Sequence, residues 1–121
     1  MKFYNTRTKQ TEELTPLQDG KVGMYVCGPT VYASPHLGNA RSAVIYDLLY
    51  RLLRTKYEVN FIRNITDVDD KINAAAKENG EPISALTDRV TADFHNIMDK
   101  LGCERPSVEP KATEHITEIC L

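Results

Sequence analysis

Apolar positions along the chain change their spacing several times, and each change marks an element. Gly23-Met24-Tyr25-Val26-Cys27 is a short apolar run closed by Gly28-Pro29, which predicts a buried strand stopped by two breakers. Ser34-Pro35 fits a helix N-cap followed by proline at the first helical position. From there to about Arg54, Leu37, Val44, Leu48 and Leu52 fall on one helical line, with Ile45, Leu49 and Leu53 beside it. Tyr57 to Ile65 is β-branched and aromatic, and predicts a second strand. A strand, turn, helix, strand order implies parallel strands joined by a right-handed crossover.

Thr66 to Asp70 is predicted to open a further helix that stops at Asn79-Gly80. Ile83, Leu86, Val90, Phe94, Ile97 and Leu101 then form another helical stripe, ended by Gly102. Glu109-Pro110 is predicted to start one more helix, which has no cap at Leu121, the pattern of a chain cut within it. The polar segment from Asn5 to Lys21, with Pro16 and Gly20, reads as a strand end and loop. The expected fold is α/β: half of a doubly wound parallel sheet, with a βαβ core over about 1–80 and a helical connection over about 81–121. Such a half is expected to expose apolar sheet surface that a second half would bury, and so to be unstable or to associate.

Composition narrows the picture only a little. The 121 residues are 41% hydrophobic and 26% charged, which suits one small globular domain. A formal net charge of -2 supplies no overall basic field for a polyanion. No apolar run approaches the roughly 20 residues of a bilayer crossing, and Met1-Lys2-Phe3-Tyr4-Asn5 is not of signal-peptide type. Cys27, Cys103 and Cys120 are odd in number and irregularly spaced, which points to a reducing, cytosolic compartment.

Three places carry candidate chemistry. His36-Leu37-Gly38-Asn39 lies at the start of the first helix, where free N–H groups and the helix dipole favour phosphate. Gly38 allows close approach of the backbone, and His36 and Asn39 offer donors; a histidine at this place also serves as a plain surface cap. Cys27 ends the first strand at the edge of the expected crevice, either as a small buried hydrophobe or as a metal ligand. Thr66-Asp67-Val68-Asp69-Asp70 reads as a capping arrangement, Thr66 with Asp69 or Asp67 with Asp70, or as a carboxylate cluster for magnesium. Lys9, Arg41, Arg51, Arg54, Arg63 and Lys71 read mostly as solvated helix faces, some within reach of a nucleic acid.

His36-Leu37-Gly38-Asn39 resembles the His-Ile-Gly-His signature of class I aminoacyl-tRNA synthetases, with Asn39 in place of the last histidine. Val22 to Tyr32 is similar to the first strand and turn of the cysteinyl-tRNA synthetases, and Arg63 to Ile72 to their second signature. The similarity runs from Phe3 to Ile119, in three blocks in order. It implies the N-terminal half of a Rossmann-like nucleotide-binding domain, leading into an insertion. It implies ATP-dependent activation of L-cysteine to cysteinyl-adenylate, then transfer to the 3′ end of cysteine tRNA.

By the same resemblance, His36 and Asn39 are catalytic, and Thr30, His36, Gly38 and Asn39 bind ATP, which carries Mg2+. Cys27, Gly28, Thr30 and Thr66 face the substrate, and Cys27 is a Zn2+ ligand. The family's other zinc ligands lie further downstream, so the zinc site is expected to be incomplete and Cys103 and Cys120 to be ordinary thiols. A zinc with an open position takes a soft thiolate over the hydroxyl of serine, a distinction that pocket shape makes poorly. The family's mobile Lys-Met-Ser-Lys-Ser loop and its anticodon-reading helical domain are absent from these residues, so little activity is expected of them alone. Two other readings stay open: a cysteine ligase of thiol biosynthesis sharing this catalytic half, and a non-catalytic ATP-binding paralogue. No obligate protein partner is expected.

Overall fold

The computed structural model describes residues 1–120. Two short sheets and a set of helices follow in the order β1 (Lys2–Asn5), β2 (Gln10–Glu13), β3 (Lys21–Val26), α1 (Leu37–Arg54), β4 (Glu58–Arg63), α2 (Asp70–Asn79) and α3 (Ile83–Lys100). A 3-10 turn at Ala112–His115 and a one-turn helix α4 at Ile116–Ile119 come last.

β3 and β4 pair in parallel, Lys21 opposite Glu58 through Val26 opposite Arg63, as the strand, helix, strand order requires. Alternation along both strands puts Met24, Val26 and Phe61 on one face, where Tyr50 and Leu53 of α1 cover them. α3 and the turn after it pack on α1 through Phe94, Met98 and Cys103 against Ala40 and Ala43, whose small side chains let the helices approach. A further cluster, Val31, Ile65, Ile72, Ala76, Leu86 and Val90, holds α2 and α3 beneath the carboxyl ends of the strands. Full burial of a side chain such as Ile65 or Ile72 contributes about 1.5–3 kcal/mol.

Several boundaries differ from the sequence reading. The polar lead-in is a hairpin, β1 antiparallel to β2, whose turn is closed by Lys9 N–H donating to the Asn5 carbonyl. Lys9 there has φ 57°, a left-handed position, so no glycine marks the turn. α1 begins at Leu37 with His36 as N-cap, not at Ser34-Pro35. α2 begins at Asp70, capped by Asp69 Oδ1 accepting from Lys71 N–H at 2.8 Å, so Thr66 lies outside it. Its end at Gly80, in the left-handed region at φ 65°, is where the sequence placed it.

Glu109-Pro110 does not start a helix. Residues 107–111 run extended along the outer edge of β4, with Ser107 N–H donating to the Phe61 carbonyl (2.7 Å), Arg63 N–H to Val108 (3.1 Å) and Ile65 N–H to Pro110 (2.9 Å). Pro110 disfavours helical backbone at Glu109, and the open strand edge supplies the alternative partners. The predicted end of the last helix at Leu121 lies outside the described residues.

The helical stripe of α1 also faces differently. Leu37 (85% exposed), Leu48 (67%), Val44, Ile45 and Leu52 point to solvent, while the face on the sheet and α3 runs through Ala40, Ala43, Tyr50 and Leu53. The other face of the sheet carries Lys21, Gly23, Tyr25, Glu58, Asn60 and Ile62, with Tyr25 exposed and Ile62 half-buried. Exposed apolar surface thus lies on α1 as well as at Tyr25 on the sheet.

Candidate functional site

Parallel strands point their carboxyl ends the same way, so the segments that leave β3 and β4 emerge side by side. The pairing continues past the strands: Thr66 N–H donates to the Pro29 carbonyl (3.0 Å) and Val31 N–H to the Thr66 carbonyl (3.1 Å). Gly28 lies so close to the second segment that a Cβ there would sit 1.5 Å from the Asn64 carbonyl oxygen. A glycine is required at this crossing for its lack of a side chain.

His36 and Asn39 form a reciprocal cap at the start of α1. His36 Nδ1 accepts from Gly38 N–H at 3.0 Å, and Asn39 Oδ1 accepts from His36 N–H at 3.0 Å. This capping consumes the acceptor atom of each side chain. Neutral His36 then carries its proton on Nε2, and Asn39 presents its Nδ2 hydrogens, so both offer donors outward. The same cap takes Gly38 N–H, and Asn39 N–H donates to the His36 carbonyl at 2.9 Å. The backbone N–H groups of Gly38 and Asn39 are thus engaged within the turn, while His36 and Asn39 keep side-chain donors there. Gly38 itself borders a shallow depression with Arg41, Ser42, Ile45 and Tyr46.

Two adjoining concavities meet at Asn39. One is walled by Cys27, Gly28, Asn39, Phe94 and Cys103, the other by Pro29, Thr30, Ser34, His36, Asn39 and Phe94. The structure thereby brings together Cys27, Gly28, Thr30, His36 and Asn39. Thr66 lies behind them, half-buried, joined to Gly28 through the Asn64 side chain: Asn64 Oδ1 accepts from Gly28 N–H (2.8 Å), and Asn64 Nδ2 donates to Thr66 Oγ1 (3.0 Å).

Asn64, which links Gly28 to Thr66, was given no role by the sequence reading, although it stands inside the second motif. Arg63 is another. It was read as a solvated base, but it is 5% exposed, lies over the Phe94 ring and pairs with Glu109 at 2.8 Å. Glu109 also meets His95 Nε2 at 2.5 Å, so one carboxylate ties β4, α3 and the 107–111 segment together. Arg51 and Arg54 pair with Glu104, and Lys71 lies over the Tyr32 ring.

The carboxylates of the second motif have protein partners. Asp67 accepts from Thr113 N–H at 2.9 Å and Thr113 Oγ1 at 2.5 Å, and Asp69 caps α2. Neither sits in the Thr66–Asp69 or Asp67–Asp70 arrangement that spacing suggested. Among the described residues, no group of three His, Cys, Asp or Glu side chains is placed to hold a metal ion. Cys27 is exposed, and its Sγ makes only a 3.9 Å contact with the Gly28 carbonyl, so it fits zinc as one soft donor of a set. Cys103 is buried, and desolvation, followed by the Asp47 charge, pushes its thiol above the usual value. No helix is long and apolar enough to cross a membrane, among the described residues.

The chain is similar to known proteins over nearly its whole length. The chain is 60% identical over 118 residues to the Cysteine--tRNA ligase of Paramagnetospirillum magneticum, covering 97% of the chain and 26% of that protein. It is 53% identical over 122 residues to the Cysteine--tRNA ligase of Methylocella silvestris, covering 98% of the chain and 27% of that protein. The Cysteine--tRNA ligase 1 of Photobacterium profundum is 50% identical over 122 residues, with 100% and 26% covered. The chain thus spans about a quarter of the length of these curated relatives. The family model for the catalytic domain of class I (C) tRNA synthetases matches residues 13–121, and the chain belongs to that family.

Proposed function

We propose that these residues form the cysteine- and ATP-facing part of a cysteine–tRNA ligase. The observation that carries this reading is the gathering of Cys27, Gly28, Thr30, His36 and Asn39 at the carboxyl ends of two parallel strands, with Thr66 locked behind them. A carboxylate oxygen of cysteine bonds to the α-phosphorus of ATP, and the bond to the bridging oxygen breaks to release pyrophosphate. A terminal ribose hydroxyl of cysteine tRNA then attacks the carbonyl carbon of the adenylate, loses its proton to solvent and displaces AMP as the ester forms.

The first step is an in-line displacement, and its catalysis is positioning and fixed charge. His36 Nε2–H and Asn39 Nδ2–H2 are turned outward by the cap and bind phosphate oxygens as charge builds on them. No reorganisation of either group is needed, because each is already held by its acceptor atom. Magnesium accompanies the phosphates of ATP. Thr30 and Gly28 line the approach of the amino acid, and Thr66 meets its polar end.

Cys27 offers a thiolate donor for zinc, with the remaining ligands outside these residues. Bound zinc would supply a soft acid that selects thiolate over hydroxyl. We further propose that 1–80 make the βαβ core of the catalytic domain and 81–121 its largely helical connection. Without a lysine-rich loop for pyrophosphate, the 121 residues alone have little activity. At its full encoded length, the protein is expected to catalyse cysteine-dependent exchange of pyrophosphate into ATP and to charge cysteine tRNA. Exchange with cysteine but transfer only to an amino sugar would point instead to thiol biosynthesis, and no exchange would refute the reading.

A further inference from the structure

We infer that Asn64 is the positioning residue that sets the polarity of the Thr66 hydroxyl and thereby holds the amino-acid end of the substrate. The inference rests on the function proposed above and deepens it. Gly28 N–H is an obligate donor 2.8 Å from the Asn64 side chain, so the atom facing it must be the carbonyl oxygen Oδ1. Tyr25 Oη–H donates to the same oxygen at 2.9 Å. The amide is therefore clamped in one orientation from two sides, both of them on β3 and its turn.

With Oδ1 fixed, Nδ2 must face the other way, and it lies 3.0 Å from Thr66 Oγ1. Nδ2 is only a donor, so Oγ1 accepts there and its own hydrogen points elsewhere. That hydrogen is left to donate to an acceptor on a ligand, and the carboxylate of an amino acid is such an acceptor. The chain of bonds runs from Tyr25 and Gly28 through Asn64 to Thr66, and it connects the thiol-bearing turn at Cys27 to the hydroxyl that meets the other end of the same substrate.

Asn64→Asp separates this role from simple packing. A carboxylate keeps acceptors for Gly28 N–H and Tyr25 Oη–H, but at Thr66 it replaces a donor with an acceptor. The Thr66 hydrogen then turns to residue 64 and away from the substrate. The expected result, in pyrophosphate exchange by the full-length protein, is a rise of about ten- to hundredfold in KM for cysteine. KM for ATP and kcat should change by less than about threefold.

Thr66→Val is expected to show the same rise, and Asn64→Asp to add nothing further in the Thr66→Val background. Tyr25→Phe, at an exposed position, removes one clamp without risk to the fold; it should raise KM for cysteine about two- to tenfold, and not at all in the Thr66→Val background. An additive effect of Asn64→Asp or Tyr25→Phe on top of Thr66→Val would overturn the inference, since charge repulsion or a loosened turn would act without the hydroxyl. A parent protein with no cysteine-dependent exchange would instead refute the proposed function, and this inference would fall with it.

Discussion

Replacing Gly28 by alanine would build a Cβ atom 1.5 Å from the Asn64 carbonyl oxygen and 2.7 Å from its carbon. Ordinary contact is 3.4–4 Å, so the segments leaving β3 and β4 must part by about 2 Å. Three hydrogen bonds cross this gap: Gly28 N–H to Asn64 Oδ1 (2.8 Å), Thr66 N–H to the Pro29 carbonyl (3.0 Å) and Val31 N–H to the Thr66 carbonyl (3.1 Å). At about 1 kcal/mol each, their loss costs about 3 kcal/mol, or about 10–15 °C in melting temperature for a domain of this size. Urea unfolding of the parent and the variant measures the difference directly. Gly23→Ala is the control, because a Cβ there meets nothing within 4 Å. It should stay within about 0.5 kcal/mol of the parent. If Gly28→Ala also stayed within that range, the two segments would not cross as closely as described, and the geometry of the site built on that crossing would be wrong.

Asn39→Asp keeps the Oδ1 acceptor that caps His36 N–H but removes the outward donor; stability should hold within about 0.5 kcal/mol while kcat/KM for ATP falls at least about tenfold. Unfolding curves and exchange kinetics on one preparation separate the two effects. Glu109→Ala should destabilise the chain by about 3 kcal/mol, because Arg63 would keep its buried charge without a partner, and the loss should exceed that of Asp88→Ala, which breaks only the exposed pair with Lys111. Iodoacetamide at pH 8 should modify Cys27 and Cys120 first, and Cys103 only on unfolding, since burial both shields its thiol and holds it protonated; peptide mass mapping over time reads this.

The elements with strong local signals were legible in the sequence. Gly28-Pro29, Asn79-Gly80 and Gly102 mark real ends, and the spacing of Leu86, Val90 and Phe94 gives the buried face of α3. What escaped depends on partners distant in sequence. The 107–111 segment is extended because β4 has a free edge there, a fact that the local sequence does not hold. α1 is apolar on most of its circumference, so periodicity alone could not say that Ala40 and Ala43, not Leu48, face the protein. The His36 cap uses a residue outside the usual Ser, Thr, Asp and Asn set, so Ser34-Pro35 attracted the boundary.

The site was legible in the same uneven way. The candidate residues stand in short motifs, so residue type alone was enough to nominate them. The role of Asn64 depends on a bond to Gly28, 36 residues away, and that of Arg63 on Glu109, 46 residues away. Asp67 looked like a cap or a metal ligand because Thr113, its actual partner, is also 46 residues distant.

The most direct measurement is a crystal structure of the protein at its full encoded length with a non-hydrolysable analogue of cysteinyl-adenylate. The account predicts the analogue's thiol beside Cys27, its amino-acid carbonyl end near Thr66 and its phosphate mimic against His36 and Asn39. An analogue seated elsewhere, for example in the groove between Leu14 and Ser107 at the other end of the sheet, would contradict it.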